Sequence, residues 1–460
     1  MVNLSSWCAV SPPGFLNVPA PLIAEAPAAQ IGPFVLAGVL LSLIVIYLAS
    51  KLVGELCARI NLPPVLGELV GGVIIGVSAL NLLVFTESGG GSDALVMRLL
   101  EATAGLQPEL APSVAESLSE VVSILSELGV IILLFEIGLE SDLKELIRVG
   151  PQAAVVAVVG VAVPFAAGTA GLITLFGVPV IPAIFAGAAL TATSIGITAK
   201  VLAEIQQLSS REGQIIIGAA VLDDILGIIV LAVVASLAKT GEVQIGKVVY
   251  LIVGAAVFLI GSILLGRFLS PYFVALVNRM QTRGQLLIAS LIFAFALSYI
   301  GAVIQLEAIL GAFAAGLVLA ETEKQKELEE QILPIADMLV PIFFVVVGAK
   351  TDVSVLNPFN PANREGLIMA SFLVTVAIIG KTVTGLAVFG QPNINRLAIG
   401  VGMVPRGEVG LVFAGVGSAI GILPKSLEAA IIVMVILTTF LAPPLLRVVF
   451  QPADSVQETS

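Results

Sequence analysis

The sequence predicts an all-α polytopic membrane protein of about thirteen transmembrane helices, with inverted repeats and two broken crossing helices. Three observations carry that reading. Of 460 residues, 58% are hydrophobic and 12% charged, against about 45–50% and about 25% in soluble domains. Mean hydropathy is +1.11, and more than a dozen apolar stretches approach the about 20 residues that a spanning helix needs. Within those stretches lie breaks and charges that a lipid-buried helix tolerates only for a reason. A soluble enzyme is excluded.

The elements follow in order. Residues 1–31 are Pro/Ala-rich and are expected to be a flexible leader; no Lys or Arg precedes Lys51, which argues against a secretory signal with a basic n-region. Hydrophobic runs place spans at roughly 32–52, 64–85, 119–139, 151–177, 181–203, 213–238 and 245–267. Six more are expected at roughly 284–303, 306–321, 331–349, 366–389, 394–420 and 426–450, before a tail at 451–460. The second span repeats small residues at Gly67, Gly71, Gly72 and Gly76, a spacing for close helix packing, with a dimer contact as the sharper option. The 86–118 connection, with its Gly89–Ser92 linker, is expected to be a solvated flap, and the charge-dense 321–330 a solvated loop.

Thirteen spans put the termini on opposite sides. Loops on the C-terminal side carry thirteen Lys and Arg, Lys51, Lys144 and Arg211 among them; the other side carries six. The positive-inside rule therefore predicts a cytoplasmic C-terminus and an external or lumenal N-terminus. This separates Cys8 from Cys57, the only two cysteines, so no disulfide is expected. The balance of 21 basic against 32 acidic residues offers no basic face, and no nucleic-acid partner is expected. There is no histidine, so proton chemistry near neutrality falls to carboxylates or lysines.

Charges inside the spans mark the site. Asp223 and Asp224 lie near the middle of the sixth span, and Lys381 lies in the central part of the eleventh. A charge at the bilayer centre costs at least about 2.5–3.5 kcal/mol on insertion scales, so each demands a partner or a task. Neighbouring residues on a helix point about 100° apart, so one Asp can face a cavity while the other meets an adjacent helix. Two ionised carboxylates this close repel, and a proton, a cation or a lysine relieves the repulsion. That is the layout for exchanging protons against a cation. The fifth span is interrupted at Thr191–Ser194 and the twelfth at Pro405–Gly410, and unwound backbone at that depth belongs beside protein or a water-filled cavity. Thr191 alone could simply bond back to its own helix. Spans four to six and eleven to thirteen form two three-helix units of opposite topology, each with an interrupted helix, which points to a secondary transporter. Glu68 and Glu136 could line an ion route.

These residues resemble a known family. Leu222-Asp223-Asp224, Thr193-Ser194, the run Phe343 to Gly348, Pro405-Arg406-Gly407-Glu408 and the stretch Ile132 to Glu140 are similar to motifs of the second cation:proton antiporter family, NapA-type. The resemblance implies sodium/proton exchange with no cofactor, by an elevator movement in a homodimer. It makes 32–139 and 284–349 panel and dimer helices, 151–238 and 366–450 the core, and 245–267 the linking helix. It makes Asp224 the principal Na+ ligand with Asp223 beside it, and pairs Asp223 with Lys381 when no ion is bound. Thr193 and Ser194 fall near the ion, and Arg406 and Glu408 in the core's polar network. Asp-Asp with Lys resembles the electrogenic subgroup. The chain looks most like cyanobacterial members, some of which occupy the thylakoid, the bacterial plasma membrane being the other expected location. Potassium/proton antiport is the alternative within the fold, and a cation channel the more distant one. An intramembrane aspartyl protease needs carboxylates from separate helices, which a contiguous pair does not supply.

Overall fold

A computed structural model of the chain describes residues 28–86, 93–240, 244–359, 363–389 and 394–450. Most of the leader, Cys8, the Gly89–Ser92 linker and the tail lie outside the described residues. The described residues form α-helices in the order α1 (Ala28–Arg59), α2 (Pro64–Ile75), α3 (Leu95–Ala104), α4 (Ala111–Glu140), α5 (Leu143–Phe176) and α6 (Val180–Ala189). Next come α7 (Ile195–Glu204), α8 (Arg211–Thr240), α9 (Ile245–Arg279), α10 (Gln285–Val303) and α11 (Ala308–Ala320). The last five are α12 (Gln325–Ala349), α13 (Arg364–Thr382), α14 (Arg396–Gly402), α15 (Glu408–Ala419) and α16 (Lys425–Phe450). Among the described residues, nine helices are long and apolar enough to cross a membrane, and four shorter apolar ones accompany them. Each of the thirteen expected spans contains a helix, and the fifth and twelfth each contain two, α6–α7 and α14–α15.

Local chemistry sets the boundaries. Asp142 caps α5 by accepting from the Lys144 and Glu145 N–H groups at 2.8 and 3.1 Å. Gly177, at φ 64°, ends the same helix in the left-handed region that costs glycine nothing. Asn395 caps α14 by accepting from Ala398 N–H at 3.0 Å.

Two expectations are corrected. The second span does not run to 85: α2 stops at Ile75, and the following turn is stitched to the end of α12 by Val77 N–H donating to Ala349 at 3.1 Å. At Gly76 a Cβ would overlap the Ala349 backbone, so close approach to α12 ends the helix there. The 86–118 connection is no solvated flap. It contains α3, which buries Val96, Met97 and Leu100 and hangs from the preceding turn through Leu95 N–H to Asn81 O at 3.0 Å. An amphipathic stretch with one apolar face secures its own docking.

The helices pack in two groups. In one, α2 lies against α1 and α12, α4 against α11 and α12, and α11 against α9 and α10. In the other, α5 lies against α6, α8 and α13, α13 against α16, and α15 against α6 and α16. The small-residue stripe of α2 is used within the chain. A Cβ at Gly67 would overlap the backbone of α1, and one at Gly72 the Val345 carbonyl of α12. Gly72→Ala is therefore expected to destabilise the protein by about 1–3 kcal/mol, read as a lower melting temperature in detergent. Gly254→Ala, with nothing within 4 Å of its Cβ, should not lower it; equal melting curves for both variants would show the α2–α12 contact to be slack.

Candidate functional site

The site begins with two breaks in the helical ladder. Between α6 and α7 the chain is non-helical at Ala192, Thr193 and Ser194, where hydroxyl side chains compete for backbone partners. Thr191 does bond back to its own helix, its hydroxyl donating to Ala188 O at 2.7 Å. Between α14 and α15 the cause is Pro405, which has no N–H and pushes Val404 away from the helical region. Gly407 follows, extended at φ −134° and ψ −150°.

The two breaks cross and satisfy each other. Ser194 N–H donates to Pro405 O at 2.8 Å, the Thr193 hydroxyl to Met403 O at 3.2 Å and the Thr198 hydroxyl to Gly402 O at 3.0 Å. The Arg406 guanidinium donates to Thr191 O at 3.3 Å and to Ala192 O, setting its charge beyond the carbonyl end of α6. Half-helix dipoles give that end negative character, so the arginine complements it. The Thr439 hydroxyl of α16 donates to Arg406 O. Four half-helix ends thus meet in one place, two of each sign.

Against this crossing stand the buried charges of α8 and α13. Lys381 Nζ donates to Asp223 Oδ2 and to Thr193 Oγ1, both at 2.9 Å. Lys381, Asp223 and Arg406 are all 0% exposed and Asp224 is 3% exposed. Asp223 Oδ1 has no hydrogen-bond partner among the described residues. With all four groups ionised, the two aspartates balance Lys381 and Arg406. A cavity of about 340 Å³ between α2–α12 and α15–α16 runs from Lys350 and Asp352 to Gly407 and Thr439, so it reaches the crossing from the end of α12. The Ser194 hydroxyl lies beside Gly407, where any Cβ would crowd it.

The structure joins Thr193, Asp223 and Lys381 directly and gathers Asp224, Ser194 and Arg406 around the same crossing. Glu408 opens α15, but its side chain lies outside the described residues. Sequence reasoning missed Thr198 and Thr439. Thr439 follows Arg406 by 33 residues, close to the interval from the first break to the aspartates. The Thr438-Thr439 pair in an apolar run was the readable signal. Among the described residues no three His, Cys, Asp or Glu side chains gather to hold a metal ion. A cation here would need hydroxyls, carbonyls or water to complete its oxygen shell.

Paired inverted units, each with a helix broken at mid-depth beside buried charges, define a secondary transporter. Residues 36–451 match the family described as sodium/hydrogen exchanger, transmembrane, and the chain belongs to that family. It is similar to the high-affinity Na(+)/H(+) antiporter NhaS3 of Synechocystis sp. PCC 6803, 71% identical over 436 residues, with 94% of this chain and 95% of that protein covered. It is 33% identical to the Na(+)/H(+)-K(+) antiporter GerN of Bacillus cereus, covering 90% and 97% of the two chains. Its fold is similar to that of the sodium proton antiporter MjNhaP1 of Methanocaldococcus jannaschii, with a TM-score of 0.59 at 16% identity over 89% and 96% of the chains. The chain is an integral membrane protein of an antiporter family.

Proposed function

We propose that the chain exchanges sodium for protons at the crossing of its broken helices, with Asp224 as the principal cation ligand. One observation carries the reading most: Asp223, Lys381 and Thr193 are joined by buried hydrogen bonds, with Asp224 next in sequence to Asp223 and 3% exposed. The four ionised groups balance, so an arriving cation adds uncompensated positive charge in a low-dielectric site. Release of a proton from the same group of residues removes it. Thr193, Ser194 and the carbonyls of the breaks supply further oxygens. Weakening of the Asp223–Lys381 pair on cation arrival would let the lysine give up its proton, which makes the cycle electrogenic.

Alternating access follows if α5–α8 and α13–α16 slide as a core against the remaining helices, as the family resemblance implies. The same resemblance implies a homodimer. The outward face of α1, with Leu36, Leu40, Ile44 and Leu48 exposed, suits lipid or a second copy. The charge count supports a cytoplasmic C-terminus, in a bacterial plasma membrane or a cyanobacterial thylakoid; the similarity to the Synechocystis protein favours a cyanobacterial setting.

Potassium/proton exchange is the second reading, favoured by the similarity to a protein named for both ions. Proteoliposomes with an imposed pH gradient and a pH-sensitive dye decide between them. Dissipation by sodium and lithium but not potassium is expected; dissipation by potassium alone would replace the cation, and by none would refute exchange. Competition for the same carboxylates also predicts that the apparent KM for sodium rises as pH falls across the active range. A KM that does not change with pH would place proton and cation at separate sites.

A further inference from the structure

The opposite end of the crossing unit is tied to α2 by one carboxylate. Glu204 ends α7, and its Oε1 accepts from Val65 N–H at 3.2 Å. Val65 is the second residue of α2, a helix with Pro63 in the capping position and no side-chain cap of its own. Pro64 has no N–H, and Leu66 N–H is already taken by Pro63 O at 3.0 Å. Glu204 therefore supplies the missing cap from another helix group, with its negative charge at the positive end of α2.

Charged neighbours act on the tie in both directions: Lys200 and Arg447 attract the Glu204 carboxyl, and Glu68 of α2 repels it. Lys200, one turn earlier on α7, lies within electrostatic reach of Glu204, of Glu68 on α2 and of Glu136 on α4. Arg447 of α16 lies within reach of Glu204, and Asp337 of α12 within reach of Glu68 and Glu136. Glu68 is 9% exposed and receives the Ser50 hydroxyl at 3.1 Å. At this end, then, a cation on the crossing unit meets carboxyl groups on α2 and α4. At the other end, the cavity already described reaches Gly407. A cavity of about 340 Å³ also lies at the tie, lined by Pro63, Pro64, Glu204 and Arg447, so both ends are hollowed and at this one the Glu204–Val65 bond joins α7 to α2.

We propose that Glu204 is an access latch: its carboxylate, bound to the N-terminus of α2, holds α7 and α2 together on the Arg59 side and must release before the site can open there. The inference rests on the alternating-access reading and adds the residue that biases it. Glu204 is a positioning residue and does not touch the transported ion.

The test uses full-length protein in lipid nanodiscs with Cys8 and Cys57 replaced by Ser, and a maleimide that labels single introduced cysteines. Val65→Cys keeps its backbone N–H and sits where the side chain is 0% exposed; Leu411→Cys lines the opposite cavity. Glu204→Ala is expected to speed labelling at Val65→Cys about fivefold, the factor expected for a lost helix cap, and to slow it at Leu411→Cys. Glu204→Gln keeps an acceptor oxygen and should fall between wild type and Ala; it decides the matter if the Ala variant does not fold. Unchanged labelling at Val65→Cys overturns the latch. So does faster labelling at both positions, which would show general loosening. Labelling needs no ion gradient, so failure of the exchange reading appears separately, as silent flux in the wild type.

Discussion

Asp224→Asn is expected to reduce cation/proton exchange to the background of empty liposomes, while the purified protein folds and melts at least as well as wild type. The substitution keeps size and hydrogen-bonding capacity and removes the one property exchange requires, an anion that binds a cation at one moment and a proton at another. Asp224 is 3% exposed, and an amide of the same shape removes the cost of burying its charge while Lys381 keeps its direct partner Asp223. Loss of exchange with intact melting therefore separates site chemistry from folding. Exchange at the wild-type rate would remove Asp224 from the site.

Lys381→Gln is expected to act on stability as well as transport. Removing one partner of a buried pair leaves the other without compensation, at a cost of about 3–5 kcal/mol. Here the partner is Asp223, bonded at 2.9 Å with both side chains fully buried. The melting temperature should fall clearly, and the double change Lys381→Gln with Asp223→Asn should recover much of it, since an amide pair carries no charge to strand. Transport currents on a solid-supported membrane, at matched protein amounts, should be lost or become independent of voltage even where slow exchange survives. Equal currents and equal melting in mutant and wild type would show Lys381 to be neither counter-charge nor proton carrier.

The spans were legible because lipid imposes long apolar runs, and the positions of both helix breaks were legible from Thr193-Ser194 and Pro405-Arg406-Gly407. The pairing of Asp223 with Lys381 was legible through the family resemblance, since the spans by themselves left both Lys381 and Arg406 as intramembrane cations. Four things were hidden. The early end of α2 depends on how close α12 approaches Gly76, a tertiary fact with no local signal. The docking of α3 depends on backbone bonds to Asn81 and Leu82, where the sequence showed Glu-rich helical patterning but nothing to say that it packs on the turn before it. The Arg406 contact with the carbonyls of Thr191 and Ala192 joins residues more than 200 positions apart. An arginine beside a helix break signals a polar task, but not which carbonyl end it covers. Glu204 was hidden for the same reason: a helix-end glutamate reads as solvated until the N-terminus of another helix lies against it.

The central claim is that cation and proton share one site at the crossing, and proton release on cation binding tests it most directly. Sodium is added, without any gradient, to purified protein in weakly buffered detergent containing a pH-sensitive dye, with choline as the ionic-strength control. The account predicts that sodium releases protons from the wild type, that choline does not, and that Asp224→Asn releases none. Saturable retention of radioactive sodium by the wild type with no accompanying proton release would contradict it.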